Sequence, residues 1–364
     1  MRKSYLLINI PRYLSFFLCC SSILFFCFFL PIDPLIAQQN KIDSLIFLLN
    51  NDKPDTHKVN HLTQLCLEYG NIGEYDSGIQ YGTNALNLGR KISYSKGIAN
   101  AYNSIGTIYS TQGNYAKALE NHFASLKIRE DTDDRKGIAV SYNNIGVIYY
   151  TQGNYAKAME NYSASLRIKK ETGDKRGVAV SYNNIGNIYL EQANYTKALE
   201  NFSASLRINE ETGDKRVTAV CYNNIGGVYS DQGNYDQALK NHFVALRIRK
   251  EIGDKEGIAT SWLNIGVVYS EKNNLADAIS YLQKGLRLFK ELEAKEGVKN
   301  AYLEISRTYA GGNDYKHAYE YHLLYSQIRD SVFNQESSRQ MAEMQTKYRT
   351  EKKEKENLLL MQKN

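Results

Sequence analysis

Proline is almost missing from this chain. Four are present in 364 residues and none follows Pro54, so no proline interrupts a helix beyond that point. Cysteine is nearly as rare: of five, Cys19, Cys20 and Cys27 lie in an N-terminal apolar run, leaving only Cys66 and Cys221. Two thiols so far apart along the chain do not make a disulfide framework. Equally absent are a glycine-rich phosphate loop after a strand, a zinc-spaced Cys/His set and a nucleophile elbow. No catalytic constellation, cofactor site or metal site is therefore expected. His57 and His61 stand four apart on a predicted helix, but two ligands do not complete a metal site. A strong charge of one sign is lacking too. The formal net charge is +6, part of it from Arg2, Lys3 and Arg12 against Asp33, and acidic residues are interleaved throughout, so no nucleic-acid footprint is present.

What the chain has is a repeat. Residues 137–176, GIAVSYNNIGVIYYTQGNYAKAMENYSASLRIKKETGDKR, return every 40 residues with almost no slippage, and 177–216 and 217–256 are visible copies. A period of this size marks a helical solenoid. Each copy reads as two helices. Tyr142, Ile145 and Tyr149 share one face of the first, and Tyr155, Ala158, Met159, Tyr162 and Leu166 make a stripe on the second. Between them, Gly153-Asn154 offers a left-handed position to end one helix and an N-cap oxygen to start the next. Gly173-Asp174 repeats the device at the far end, as do Gly213-Asp214 and Gly253-Asp254. Connections this short pack neighbouring helices antiparallel.

Stacking the copies gives columns. Tyrosine fills 69, 109, 149, 189, 229, 269 and 309; a second aromatic column runs Leu62, Tyr102, Tyr142, Tyr182, Tyr222, Trp262 and Tyr302; a third is Leu65 followed by isoleucine from Ile105 to Ile305. All three are expected in the core. Two small-residue columns, one of them Cys66, Gly106, Gly146, Gly186, Gly226, Gly266 and Ser306, the other Gly78 followed by alanine from Ala118 to Ala318, mark close approach within a helix pair. A glycine inside a helix costs roughly 0.5–1 kcal/mol against alanine, so its return implies that packing requires it. Cys66 falls in a small-residue column and is expected to be a buried thiol. His122, His242 and His322 share a column with Tyr162, Phe202 and Leu282 and are expected to be partly buried packing residues.

At these columns the chain resembles the tetratricopeptide repeat family. The family's order of aromatic, Leu/Ile-Gly, Tyr and Ala is met by Tyr142, Ile145-Gly146, Tyr149 and Ala158. Two departures stand out: the usual repeat is about 34 residues, and the proline that commonly follows its second helix is absent. The extra residues fit a lengthened second helix plus the Gly-Asp turn, similar to the 40-residue subclass of bacterial regulators and scaffolds. The resemblance implies an all-α, right-handed superhelix over 57–330, with about seven helix-turn-helix repeats at 57–96, 97–136, 137–176, 177–216, 217–256, 257–296 and 297–330. In the last, Gly311-Gly312-Asn313-Asp314 is expected to widen the turn.

The flanks differ in kind. In 1–37, Arg2, Lys3 and Arg12 precede the apolar run Leu14–Leu30, and Leu35-Ile36-Ala37 offers a small residue before Gln38, the pattern of an export signal. An uncleaved anchor is the other reading; both place the repeats outside the cytoplasm, in the periplasm. In 38–56, Lys41–Asn50 forms a short amphipathic helix suited to cap the first repeat. From 331 to 364, Met341, Met344, Tyr348 and Leu358 take heptad-compatible places in a charged segment, which reads as an extended, coiled-coil-like helix able to pair with a second copy, or else as a solvated tail.

The candidate binding surface is made of amides. Asn103, Asn143, Asn183 and Asn223 form one column on the first helices, and Asn144, Asn184, Asn224 and Asn264 the next. Asparagine is a mediocre helix former, so propensity does not explain them. The resemblance implies that first helices line a concave groove where such amides hold a peptide or protein partner, an amide matching peptide N–H and C=O together. The competing reading has them bond to neighbouring repeats and stiffen the array. The order of signal, array and charged helix resembles the extracytoplasmic half of Bacteroidetes-type transmembrane regulators, in which a membrane span and an effector follow. The expected function is an exported sensor or interaction module, with a stand-alone periplasmic scaffold second and an enzyme a distant third; membrane contact would come only through the N-terminal segment or a downstream span.

Overall fold

The computed structural model describes residues 34–329, and every regular element among them is a helix. The chain divides into two compact units between Ile148 and Tyr149. The first holds α1 (Pro34–Asn51), α2 (Thr56–Asn71), α3 (Tyr75–Lys91), α4 (Ser95–Thr111), α5 (Tyr115–Asp131) and most of α6 (Arg135–Thr151). Here each helix from α1 to α4 packs on the one that follows, and α2 also reaches past α3 to α4. The second holds α7 (Tyr155–Glu171), α8 (Lys175–Glu191), α9 (Tyr195–Thr212), α10 (Lys215–Asp231), α11 (Tyr235–Glu251), α12 (Lys255–Glu271), α13 (Leu275–Glu291) and α14 (Lys295–Gly311), followed by helical residues 315–329. Its helices pack consecutively from α7 to α14, and the first helices α10, α12 and α14 also touch one another. This layering of helix pairs is that of an α-solenoid.

The turns follow the sequence. Gly153 takes φ +72° and the Asn154 side chain accepts from the Lys157 N–H; at the far end Gly173 takes φ +69° and Asp174 accepts from the Gly177 N–H. Where glycine is lacking the geometry persists, with Ala193 at φ +53° and Asn313 at +61°. The last turn is therefore not widened: Gly311 closes α14, Asn313 takes the left-handed place, and Asp314 accepts from the His317 N–H.

Packing divides the columns differently from the expectation. The isoleucines from Ile105 to Ile305 are buried and the alanines at 118, 158, 198, 238 and 278 fully so, whereas the tyrosines of the 69-to-309 column are only half-buried. The reason is that their rings form the rim of the core and carry a cation: Lys117 lies over Tyr109, Lys157 over Tyr149 and Lys197 over Tyr189, each about 5 Å from the ring centre. In the glycine column a single column of side chains fills the space. A Cβ on Gly186 would stand 2.7 Å from the Phe202 ring, and one on Gly226 2.8 Å from the His242 ring. His122, Phe202, His242 and Leu282 are all buried in that role, and Tyr162 is buried as well. His322 is not; it is exposed in the 315–329 segment. Cys66 and Cys221 are buried free thiols, and burial pushes Cys66 up to about 12. In α1, Ile42 and Leu45 close against Leu65 of α2, and Lys41 pairs with Glu68.

The junction between one repeat and the next holds buried polar groups that periodicity did not single out. Arg129 donates to the Gly137 carbonyl at 2.7 Å and to Ser141 Oγ at 3.1 Å; Lys169 donates to Ser181 Oγ at 3.1 Å; Arg249 donates to the Gly257 carbonyl and Ser261 Oγ, both at 2.8 Å. At the same step Asn209 faces Cys221, and Phe289 packs in one cluster with Ala301. Polar meets polar and apolar meets apolar, because a buried donor without a partner costs about 1–3 kcal/mol.

The N-terminal apolar run and the segment 331–364 lie outside the described residues. Among the described residues, no helix is long and apolar enough to cross a membrane.

Candidate functional site: the amide-bearing face of the first helices

The amide columns do two things at once. In the first unit, Asn144 Nδ2 donates to Asn103 Oδ1 at 3.0 Å. In the second, Asn224 donates to Asn183 at 2.9 Å and Asn264 to Asn223 at 2.6 Å. Each bond joins residues 41 apart, one repeat plus one step, so the amides form rungs between successive first helices. The competing expectation, that these amides bond to neighbouring repeats, is thus met in part. Asn143 donates to Asn144 Oδ1 over a long 3.5 Å, and Asn184 has a contact of its own. Yet a rung uses only half of each amide: the first-column oxygen accepts and the second-column nitrogen donates. The NH₂ groups of Asn183 and Asn223 and the Oδ1 atoms of Asn224 and Asn264 make no hydrogen bond among the described residues, and all four residues are partly exposed.

Two histidines fix the polarity of the rungs. His122 Nδ1 lies 3.2 Å from Asn103 Oδ1 and His242 Nδ1 3.1 Å from Asn223 Oδ1. Burial, reinforced by the nearby Arg129 and Arg249 charges, brings both imidazoles down to about 4, so they are neutral at pH 7. Since each amide oxygen already accepts from an asparagine, the histidine supplies its second donor through Nδ1–H.

The same face carries charge at both ends. On a 3.6-residue helix, Arg176, Val180, Asn183, Asn187 and Glu191 of α8 fall within one arc, and Arg216, Val220, Asn223, Gly227 and Asp231 of α10 repeat it. All four charged residues are exposed, and among the described residues none takes part in an ion pair. α8 and α10 have no acidic residue in the first turn and no basic residue in the last. That is opposite to what the helix dipole favours, at about 0.3–1 kcal/mol per charge. Two of the second helices follow the rule at their C-termini, α7 ending with Lys169 and Lys170 and α11 with Arg249 and Lys250, while α9 ends without a basic residue. At the acidic end Glu191 accepts from the hydroxyls of Tyr150 and Tyr155 at 3.3 and 3.2 Å, and burial together with the Glu191 charge raises the Asp231 carboxyl. Sequence reading found the amides but not these two rows: each recurs at the 40-residue step, but the basic one covers only two repeats' worth of arginine before Glu256 replaces it. His61 pairs with Asp52 at 2.6 Å, and among the described residues no group of three or more His, Cys, Asp or Glu residues is placed to hold a metal.

The tetratricopeptide repeat model matches residues 97–171, 177–251 and 217–291, more than half of the chain. The chain is a tetratricopeptide repeat protein. No curated protein sequence matches it. Solved structures similar to this tetratricopeptide repeat protein include a signal transduction ATPase with numerous domains, carrying a tetratricopeptide repeat sensor, from Pyrococcus horikoshii, at 17% identity over 77% of this chain and 44% of that one (TM-score 0.61). A Rap conjugation gene regulator of plasmid pLS20, solved in complex with the Phr* peptide, aligns at 15% identity over 77% of this chain and 76% of that one (TM-score 0.57). BtubC from P. vanneervenii aligns at 20% identity over 59% and 91% (TM-score 0.53). At these identities the likeness is one of fold.

Proposed function

We propose that this tetratricopeptide repeat protein binds a peptide along the amide-bearing face of its first helices, as the sensor part of an exported signalling protein. One observation carries the reading: each of the two rungs in the second unit, Asn183–Asn224 and Asn223–Asn264, leaves one NH₂ group and one carbonyl oxygen unengaged among the described residues, the pair that a peptide backbone complements with its own C=O and N–H. The pLS20 Rap regulator, solved with a peptide, supports it as a fold relative. Asn183→Asp together with Asn223→Asp tests it, since the retained oxygen still accepts from the neighbouring rung while the outward NH₂ is lost. Peptides selected from a display library on the wild-type chain should bind this variant at least roughly ten-fold more weakly, with its helical circular dichroism intact. Unchanged affinity would refute the reading.

Export rests on Arg2, Lys3 and Arg12 ahead of Leu14–Leu30. Alkaline phosphatase fused after residue 330 should be active outside the cytoplasm in a bacterial host; an inactive, cytoplasmic fusion would remove the export half of the proposal and leave peptide binding standing.

A further inference from the structure

The charge rows say how a peptide would lie. An extended chain that turns its N–H and C=O groups down onto the rungs of α8 and α10 directs successive side chains sideways, alternately to one edge and the other. One edge of this face holds Arg176 and Arg216, the other Glu191 and Asp231, with about 22 Å of helix between them. A lysine or glutamate reaching outward from a central strand spans most of each half. A helical partner would not use this arrangement, because its backbone groups are already bonded within the helix and leave the rung amides without a complement. The dipoles of their own helices do not explain the rows either, and no member pairs with an opposite charge among the described residues; Glu191 alone of the four is held within the fold, by the hydroxyls of Tyr150 and Tyr155. Resting on the peptide-binding reading above, we propose that the preferred ligand is an extended peptide with alternating charge, its basic side chains toward Glu191 and Asp231 and its acidic ones toward Arg176 and Arg216.

Fluorescence anisotropy on the full chain tests this with two labelled decapeptides of equal composition, one alternating Lys and Glu singly, the other Glu-Lys-Lys-Glu-Glu-Lys-Lys-Glu-Glu-Lys, which puts both signs on each edge. The singly alternating peptide should bind at least roughly ten-fold more tightly, and the difference should shrink as salt is raised. Arg176→Glu with Arg216→Glu makes both edges acidic and should abolish that preference in favour of an all-Lys decapeptide. Adding Glu191→Arg and Asp231→Arg restores opposite edges and should restore the preference for single alternation. Equal affinity for the two neutral peptides, no binding of either, or tighter binding of a helix-forming Glu/Lys peptide overturns the proposal. If affinities are equal but fall on Asn183→Ala with Asn223→Ala, the groove reading survives and only the charge pattern is lost; if those changes leave binding unmoved, the groove reading fails with it.

Discussion

His122 and His242 each sit in a space that a glycine in the facing helix leaves open, and each donates to an amide of the rung above it. Protonation has no partner there. In the unfolded chain the imidazole titrates near 6.5, in the folded chain at about 4, so between those values the unfolded state binds more protons and stability falls as pH drops. The loss begins below about 6.5 and is complete by about 4, amounting to up to about 3 kcal/mol per group. Urea midpoints measured across that window should show the slope, and His122→Phe with His242→Phe should flatten it, because Phe202 occupies the equivalent place. Ala193 offers a second test at this scale. It holds φ +53° where Gly153 and Gly233 stand in other repeats, and Ala193→Gly should raise stability by about 1 kcal/mol, read from the same denaturation curves. The sequence placed the histidines in the right column but did not show that two are buried and one exposed, because the last member lies in a helix with less packed around it.

Along one helix, adjacent glycines have opposite meanings. Gly226 in α10 faces the His242 ring, and a Cβ there would stand 2.8 Å from it; Gly227 has nothing within 4 Å. Gly226→Ala should therefore destabilise by about 1–3 kcal/mol through overpacking, whereas Gly227→Ala should stabilise by about 0.5–1 kcal/mol by removing backbone freedom from the unfolded chain. Thermal unfolding of the pair separates the two effects. The glycine column was legible because it recurs every 40 residues; what fills it was not, since phenylalanine, leucine and histidine do the same work there and share no chemical class. The tyrosine column misled in the other direction. Its regularity suggested core, but a lysine over the ring face serves at the rim, where an aromatic is half-wet.

Over the whole molecule, stability is a sum of repeats and the junctions between them. Removing one repeat changes which junction residues meet. Deleting 177–216 brings Lys169 opposite Cys221, a polar pair, and the shortened chain should fold with only the helical signal of one repeat lost. Deleting 257–296 brings Arg249 opposite Ala301, which deprives a buried guanidinium of the Ser261 hydroxyl, and should leave the protein less stable than the first deletion by about 1–3 kcal/mol. Urea unfolding of the two shortened chains, which contain the same number of repeats, makes the comparison; equal midpoints would show that the junction pairs do not govern neighbour choice.

By itself the sequence determined the helix pairs, their turns and the family, because helix periodicity, left-handed glycines and capping side chains act within a few residues and are written out seven times. It also located the amides. Only the tertiary structure decided what they do, since a hydrogen bond between residues 41 apart depends on how one helix lies against the next and leaves no trace in local pattern. The junction cations were hidden for the same reason: a residue's partners across a repeat boundary are set by packing geometry, and the sequence records only that the residue is there.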